Sequence, residues 1–255
     1  PPFLMTVEKT GRRIVYNPMV ADGTRFQLDL DGLRQAADAG TRILLFCNPH
    51  NPLGRVFERA ELEEVGRIAV ERDLIIVSDE IHADLVYAGH QHIPLASLSP
   101  EIAARTITLT SATKGFNIAG LRCAVMHFGS AELHTRFRHL FPDYLLGQIS
   151  VVGIDATIAA WRHGQPWLDA VLARLTANRA RLRHFLDTEL PEIRCYTPEG
   201  TYLAWLDCSR LGLEHPYQYF LDHAQVGFGD GVAFGPGGEQ CIRLNFATAP
   251  EILEQ

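Results

Sequence analysis

Polar residues with chemically useful side chains follow three of the strands that we predict from apolar runs. In chain order they are Asn48, Asn51, Asp79, Glu80, His82, Ser111, Thr113 and Lys114. Taken singly, each would be an ordinary surface loop residue or helix cap. Open α/β sheets, however, bind their ligands outside the carboxyl ends of the strands. An amide, a carboxylate and a lysine at neighbouring strand ends therefore predict one polar site.

The elements that must position these residues form a βαβ unit. Residues 42–47 and 74–78 are continuous apolar runs, typical of strands that are buried on both faces. Two X-Pro steps and a glycine in 48–54 predict a loop, and a helix with one apolar face around Val65 follows it. Two parallel strands joined by a helix are therefore expected. Further strands are predicted at 12–16, 106–110 and 123–128.

After about residue 130 the pattern changes to helices and short strands. Helices are predicted at 148–163 and, from one apolar face that persists over several turns, at 167–186. Short strands follow at 201–207 and 241–246. This part of the chain is therefore expected to be α+β.

Composition excludes several classes of protein. The 255 residues are 47% hydrophobic and 21% charged, as in an ordinary globular protein with one large or two modest domains. The net charge of −7 disfavours a dedicated nucleic-acid binder, which should be basic. No apolar run approaches the roughly 18 residues of a membrane span, so no membrane partner is expected.

The cysteines and histidines show no metal-site pattern. Five cysteines are scattered without a CxxC pair, which is typical of reduced, structural thiols and predicts a cytoplasmic protein. His90 and His92 have no third and fourth ligand at suitable spacing, so this segment is interpreted as a loop.

Three motifs, taken in their order, identify a family. NPHNPLGR at 48–55, SDEIHADLV at 78–86 and SATKGFNIAG at 111–120 closely resemble the class I and II aminotransferases, enzymes of fold type I that depend on pyridoxal 5′-phosphate (PLP). The Asp-Glu-Ile-His form of the second motif, at 79–82, resembles the carbon–sulfur β-lyase branch, the cystathionine β-lyase-like proteins. GTYLAWLDC at 200–208 and IRLNFA at 242–247 resemble the same branch. The resemblance covers nearly the whole chain.

The resemblance implies an α/β fold with a mostly parallel sheet in a large domain, followed by a smaller α+β domain. Residues 1–147 would be part of the PLP-binding large domain, 148–165 a connecting helix and 166–255 the small domain. Members of the family are longer at both ends. The chain is therefore expected to be a fragment that lacks an N-terminal part and the C-terminal end.

The resemblance also implies roles for residues that hold the cofactor. Lys114 would form the Schiff base with PLP and move the substrate Cα proton, which requires an amine that is partly deprotonated. Asp79 would pair with the pyridine nitrogen and keep the ring protonated. Asn51 would donate to the ring hydroxyl oxygen, and His82 would lie near the same oxygen. Ser111 would contact the phosphate.

Three further residues complete the implied site. Arg122 fits the phosphate site, because a guanidinium binds phosphate through two hydrogen bonds. Arg243 would bind the substrate α-carboxylate in the same way, although without the family it would be interpreted as a surface arginine at a strand edge. Tyr202 would lie near the substrate, and a core aromatic is an equal interpretation.

The resemblance implies β-elimination on cystathionine or a cysteine S-conjugate, with thiol, pyruvate and ammonia as products. Transamination of an L-amino acid is the nearest alternative, and Arg122 leaves it open because it matches the aminotransferase pattern. A non-catalytic PLP-binding regulator is a second alternative, against which the retention of both Lys114 and Asp79 argues. The expected partners are a small amino-acid substrate and a second copy of the chain in a homodimer.

Overall fold

The computed structural model describes residues 2–142 and 145–254 in two compact units. Unit 1 comprises the described parts of Pro1–Gly32, Asn51–Arg55 and Ala173–Gln255. Unit 2 comprises the described parts of Leu33–His50 and Val56–Leu172. The predicted boundaries at 147 and 165 concern the domains of a whole family member, and they stay a prediction.

Unit 2 contains a four-stranded sheet. Its strands are β3 (Ile43–Cys47), β4 (Ile75–Asp79), β5 (Thr106–Thr110) and β6 (Val125–Phe128). They lie in the order β3-β4-β5-β6, in which the first three are parallel and β6 is antiparallel to β5. The βαβ prediction is therefore confirmed, and the carboxyl ends of β3, β4 and β5 lie at one edge of the sheet.

The helix between β3 and β4 is α3 (Arg59–Glu71), and its sequence explains both its start and its buried face. The Glu58 side chain and the Glu61 side chain form a capping box at its N-terminus. Leu62, Val65 and Ile68 are fully buried at helical spacing. The other helices of this unit are α4 (Pro100–Ala104), α5 (Ala131–Leu140) and α6 (Val151–His163).

Two expectations about strands are wrong. Residues 12–19 form no strand, and Val15 and Tyr16 are exposed, because a β-prone run stays irregular when no neighbouring strand accepts its hydrogen bonds. Strand β3 is not buried on both faces, since Ile43 and Leu45 are 42% and 39% exposed. An apolar run predicts burial only where another layer covers the strand.

Unit 1 is built on a three-stranded antiparallel sheet. Strands β7 (Leu203–Asp207), β8 (Gly229–Asp230) and β9 (Cys241–Asn245) lie in the order β7-β9-β8, so that Arg243 lies opposite Trp205 and Gly229. A hairpin of two short strands is also present, β1 (Val20–Ala21) and β2 (Phe26–Gln27). Its short helices are α1 (Pro2–Lys9), α8 (Pro216–Tyr219) and α9 (Pro250–Leu253).

Two helices run across the division between the units, α2 (Leu30–Ala36) and α7 (Gln165–Glu189). Within unit 1, α7 is tied to the chain after β9 by Asn178, a buried side chain that donates to the carbonyls of Phe246 and Thr248, each at 2.9 Å. None of the described helices combines the length and the apolar character that crossing a bilayer requires.

Candidate active site

Asp79 ends β4 and is held from both neighbouring strands. It is paired with Cys47 of β3 and Leu109 of β5, and its carbonyl accepts a 3.0 Å hydrogen bond from the Asn48 N–H. Its carboxylate accepts from the Ile81 N–H at 3.1 Å. Burial raises the pKa of Asp79, and nearby Glu80 raises it further. A carboxylate in this setting favours a cationic or proton-donating partner.

Lys114 supplies a cation in electrostatic range of that carboxylate. Its charge lowers the pKa of Asp79 against the larger effect of burial. The half-buried Lys114 makes no hydrogen bond or ion pair with any residue that the structure describes. The next residue, Gly115, packs so closely that a Cβ there would lie 2.9 Å from the Cβ of Asp84. Lys114 thus lies on a tightly packed turn, and its amine donates to none of the residues that the structure describes.

The hydroxyl of Ser111 is engaged within the protein. This buried side chain donates to the Cys123 carbonyl at 2.6 Å, lies 2.9 Å from Thr113 Oγ1, and accepts from the Thr113 N–H at 3.1 Å. These bonds tie the turn that carries Lys114 to the segment before β6. The predicted contact between Ser111 and a phosphate group stays a prediction.

Of two further residues that were predicted to contact the cofactor, Arg122 is exposed and His82 is buried. Arg122 lies at the surface side of its turn and adopts a left-handed backbone conformation with φ of +49°. His82 is buried in the turn that follows Asp79, where its carbonyl accepts from the Leu85 N–H at 2.9 Å. Their predicted roles at the cofactor stay predictions.

Two further residues of unit 2, neither of which was predicted to belong to the site, lie near this region. His90 and His92 lie in a loop, as predicted, and Nε2 of His92 lies 3.0 Å from a carboxylate oxygen of Glu80. Asp84 accepts a hydrogen bond from the Trp161 side chain, which lowers its pKa, although burial has the larger effect and raises it. The only signal in the sequence was that Asp84 is the third acid, after Asp79 and Glu80, in the motif that begins at Ser78.

Arg243 in unit 1 is a half-buried cation with a neutral partner. Its Nη1 donates to Oδ1 of Asn51 at 2.9 Å, and its guanidinium carbon lies 4.9 Å from the ring centroid of Phe234. Burial lowers the pKa of Arg243, and Tyr202 raises it by a smaller amount. Within the described residues no carboxylate pairs with it. The arrangement therefore holds a guanidinium whose charge can bind an anion.

Tyr202 lies in the electrostatic range of the same guanidinium. Burial raises the pKa of the half-buried Tyr202 phenol, and Arg243 lowers it by a smaller amount. The preceding residue, Thr201, is fully buried with a φ of +65°, which is an outlier for a β-branched residue. Its hydroxyl accepts from the Leu203 N–H at 3.1 Å, so this strained turn fixes the start of β7 beside Tyr202.

The loop that carries Asn51 is fixed within unit 1. The Asn51–Pro52 peptide bond is cis. Gly54 has a φ of +70°, and a Cβ there would lie 2.6 Å from the Cβ of Pro198. The carbonyl of Gly54 accepts hydrogen bonds from the N–H groups of Glu199 at 2.8 Å and Gly200 at 2.9 Å. Only glycine suits this conformation at this close approach.

A buried ion pair fixes the same loop from its other end. The Arg55 guanidinium is 3% exposed, and it bonds the carboxylate of Glu199 and donates from Nε to the Phe26 carbonyl at 2.7 Å. Arg25 also approaches Glu199, at 3.7 Å. Because Asn51 and Arg55 lie in one short segment, this pair restrains the amide that contacts Arg243.

Three of the five cysteines are unsuited to act as nucleophiles. All five are free, and Cys47 alone is not fully buried. Burial raises the pKa values of Cys195, Cys208 and Cys241 to about 12, so these three are thiols at neutral pH and poor nucleophiles. A search of the described residues finds no cluster of three or more His, Cys, Asp or Glu side chains able to hold a metal ion.

Comparison with known proteins gives a match over nearly the whole chain. The model of the family "Aminotransferase class I and II" matches residues 3–254. Cystathionine β-lyase PatB of Bacillus subtilis (strain 168) is 36% identical over 256 residues, which cover 99% of this chain and 66% of PatB. A cystathionine β-lyase of Corynebacterium glutamicum is 36% identical over 258 residues, which cover 100% of this chain and 67% of that protein.

A solved structure shows the same similarity in three dimensions. The PLP-bound C–S lyase from Staphylococcus hominis superposes with a TM-score of 0.93 at 33% sequence identity, covering 99% of this chain and 66% of the other. The chain thus spans about two thirds of the length of the relatives that it matches.

Proposed function

This chain belongs to the class I and II aminotransferase family, and from that premise we propose that its protein is a PLP-dependent carbon–sulfur β-lyase. The proposed substrate is cystathionine or a cysteine S-conjugate, and the products are a thiol, pyruvate and ammonia. The names of the relatives in Bacillus subtilis and Corynebacterium glutamicum support the lyase, and the PLP-bound lyase of Staphylococcus hominis supports the cofactor.

The observation that carries the proposal is the relation between Lys114 and Asp79. The chain has two lysines, Lys9 and Lys114, and Lys114 lies in electrostatic range of a buried carboxylate with a raised pKa. An amine suits the aldehyde carbon of PLP, and a carboxylate in a site of low polarity suits its protonated pyridine nitrogen. The donor set of unit 2 therefore fits this cofactor.

PLP, when bound, supplies an aldehyde for amines and an electron-accepting ring for the carbanion at the substrate Cα. Lys114 would hold the aldehyde carbon through its Nζ, and the same amine would take the Cα proton of the bound substrate. Asp79 would hold the proton on the ring nitrogen, because a buried carboxylate is stabilised by a positively charged partner.

Asn51 and Arg243 of unit 1 are hydrogen-bonded to each other, and each keeps donor groups for another partner. Oδ1 of Asn51 accepts from Arg243, so the Asn51 amide N–H groups face other partners and can donate to the ring hydroxyl oxygen of the cofactor. Arg243 would bind the substrate α-carboxylate through a bidentate pair. Tyr202, within range of the guanidinium, contributes to the same carboxylate subsite.

The phosphate group is assigned to the turn around Ser111 and to Arg122. Ser111 acts through the shape of the turn, because its hydroxyl is already bonded to the Cys123 carbonyl. Arg122 offers a guanidinium for two hydrogen bonds to phosphate. His82, buried in the turn after Asp79, is assigned to the surroundings of the ring oxygen.

We further propose that the protein is a homodimer of the cytoplasm. The support for the dimer is the family, and the support for the compartment is the set of five free cysteines, which suits a reducing environment. Light scattering after size exclusion measures the mass, and a monomer would contradict the dimer.

The test of the reaction is pyruvate release from cystathionine in the absence of any keto acid. The full-length protein that contains these residues is loaded with PLP and assayed, with Lys114→Ala as the inactive control. Release of pyruvate supports the lyase. Conversion of bound PLP to pyridoxamine phosphate without pyruvate supports the aminotransferase alternative instead. Failure to bind PLP overturns both.

A further inference from the structure

A buried carboxylate that the proposed reaction does not use lies directly after Asp79. Glu80 is 3% exposed. One of its carboxylate oxygens accepts from Ser78 Oγ at 2.9 Å and from the Leu95 N–H at 3.1 Å, and the other lies 3.0 Å from His92 Nε2. Glu80 is the first residue after β4, so this cluster is joined directly to the strand end that carries Asp79.

The direction of the hydrogen bonds around His92 follows from its partners. Oδ1 of Asn48 accepts from the Phe57 N–H at 3.1 Å, which turns the amide nitrogen of Asn48 toward His92 Nδ1, 3.5 Å away. An amide nitrogen only donates, so Nδ1 must accept, and Nε2 must carry the proton that is donated to Glu80. The partners therefore assign Nε2 as the donor and Nδ1 as the acceptor of this imidazole.

Two of these three residues, Asn48 and Glu80, hold the backbone on either side of the Asp79 side chain. The Asn48 N–H donates to the Asp79 carbonyl at 3.0 Å, and the Glu80 N–H donates to the Leu109 carbonyl at 2.8 Å. A shift of the Asn48 or Glu80 side chain therefore moves the peptide groups that aim the Asp79 carboxylate. A displacement of about 1 Å is enough to weaken a positioned catalytic contact.

We propose that Asn48, His92 and Glu80 form a positioning chain, a directed series of hydrogen bonds that sets the Asp79 carboxylate for the ring nitrogen of the cofactor. This inference rests on the proposed function only for the identity of the ligand. The direction of the chain, from amide to imidazole to carboxylate, is a property of the protein without cofactor.

The direction can be reversed by two substitutions that conserve size and net charge. Glu80→Gln alone places an amide nitrogen against His92 Nε2–H, so that two donors face each other, and His92 cannot change tautomer because Asn48 also donates to it. Adding Asn48→Asp removes that conflict. The carboxylate at position 48 accepts from the Phe57 N–H and from Nδ1–H of His92. Nε2 of His92 is then unprotonated, and it accepts from the amide nitrogen at position 80.

The experiment compares wild type, Glu80→Gln and the double variant Asn48→Asp/Glu80→Gln in the full-length protein. The imidazole ¹⁵N spectrum of the cofactor-free protein, assigned with His92→Gln, should show the Nε2–H tautomer in wild type and the Nδ1–H tautomer in the double variant. The dissociation constant for PLP, measured by absorption, should rise about tenfold in Glu80→Gln. The two donors that face each other, at position 80 and on His92, cannot both be satisfied where they lie, so the side chain at position 80 shifts and moves Asp79 with it. The dissociation constant should return to within about threefold of wild type in the double variant.

Thermal unfolding of each cofactor-free variant separates loss of fold from loss of positioning. If the double variant binds PLP no better than folded Glu80→Gln, or if the His92 tautomer does not switch, the positioning chain is overturned. If wild type does not bind PLP at all, the proposed function fails, and the tautomer spectra still decide whether the chain has the assigned direction.

Discussion

Nη1 of Arg243 donates a 2.9 Å hydrogen bond to Oδ1 of Asn51, a residue 192 positions earlier in the chain. An amide oxygen accepts the hydrogen bond without neutralising the charge, and the ring of Phe234 lies against the guanidinium. A half-buried arginine in a purely structural role is expected to pair with an acid. This one instead keeps its positive charge available for an anion.

Arg243→Lys should therefore impair recognition of the substrate carboxylate. A lysine cannot form the bidentate pair, and we expect a loss of about 2 kcal/mol, or roughly 30-fold in KM for the amino acid. Steady-state kinetics measure it, and the PLP dissociation constant serves as the internal control. An unchanged KM would remove Arg243 from the substrate site.

Asp79→Asn should stabilise the cofactor-free protein at neutral pH while it weakens cofactor binding. Burial raises the pKa of Asp79 in the folded state, so the charged form opposes folding above that pKa, and the neutral amide does not. We expect a gain of about 1 kcal/mol, seen as a Tm increase of roughly 2–4 °C.

The pH dependence checks the sign of that effect. As the pH falls through the pKa of Asp79 in the folded protein, its carboxyl becomes neutral. The wild-type protein then regains the stability that the charged carboxylate had cost it. The Tm difference between Asp79→Asn and wild type should therefore be largest near neutral pH and shrink as the solution is acidified. A difference that grows as the pH falls would mean that the charged carboxylate stabilises the apo protein.

Gly54→Ala should destabilise the loop that carries Asn51. Its φ of +70° disfavours any side chain, and the new Cβ would meet Pro198 at 2.6 Å. Gly89→Ala is the matched control, because Gly89 has a φ of +94° and open space around its Cβ position. Overpacking should make Gly54→Ala less stable than the control by about 1–3 kcal/mol in urea unfolding. Equal losses would show that the contact with Pro198 relaxes without cost.

The sequence predicted the sheet of unit 2 well, because apolar runs and X-Pro breaks report directly on strands and loops. Strand β4 and the helix α3 lie where their patterns placed them. The run at 12–16 failed because pairing depends on a neighbour that the local sequence does not reveal. The exposure of Ile43 and Leu45 was missed for the same reason, since the covering layer is not encoded in the strand itself.

The sequence predicted the contacts within the site less completely than it predicted the fold. The strand-end rule marked Asp79 and Lys114, and these two do lie within electrostatic range of each other. It gave no hint of the contact between Asn51 and Arg243, because pairing over 192 positions is decided by tertiary structure. It also passed over His92, whose partner Glu80 was recorded only as one more polar residue after a strand.

The most direct test of the central claim is the identity of the lysine that binds PLP. The full-length protein is loaded with PLP and reduced with borohydride, and its peptides are mapped by mass spectrometry. We predict that the phosphopyridoxyl group is found on Lys114, that Lys9→Ala leaves the labelling unchanged, and that Lys114→Ala abolishes both the labelling and pyruvate formation. Labelling of any other residue, or pyruvate formation by Lys114→Ala, would contradict the account.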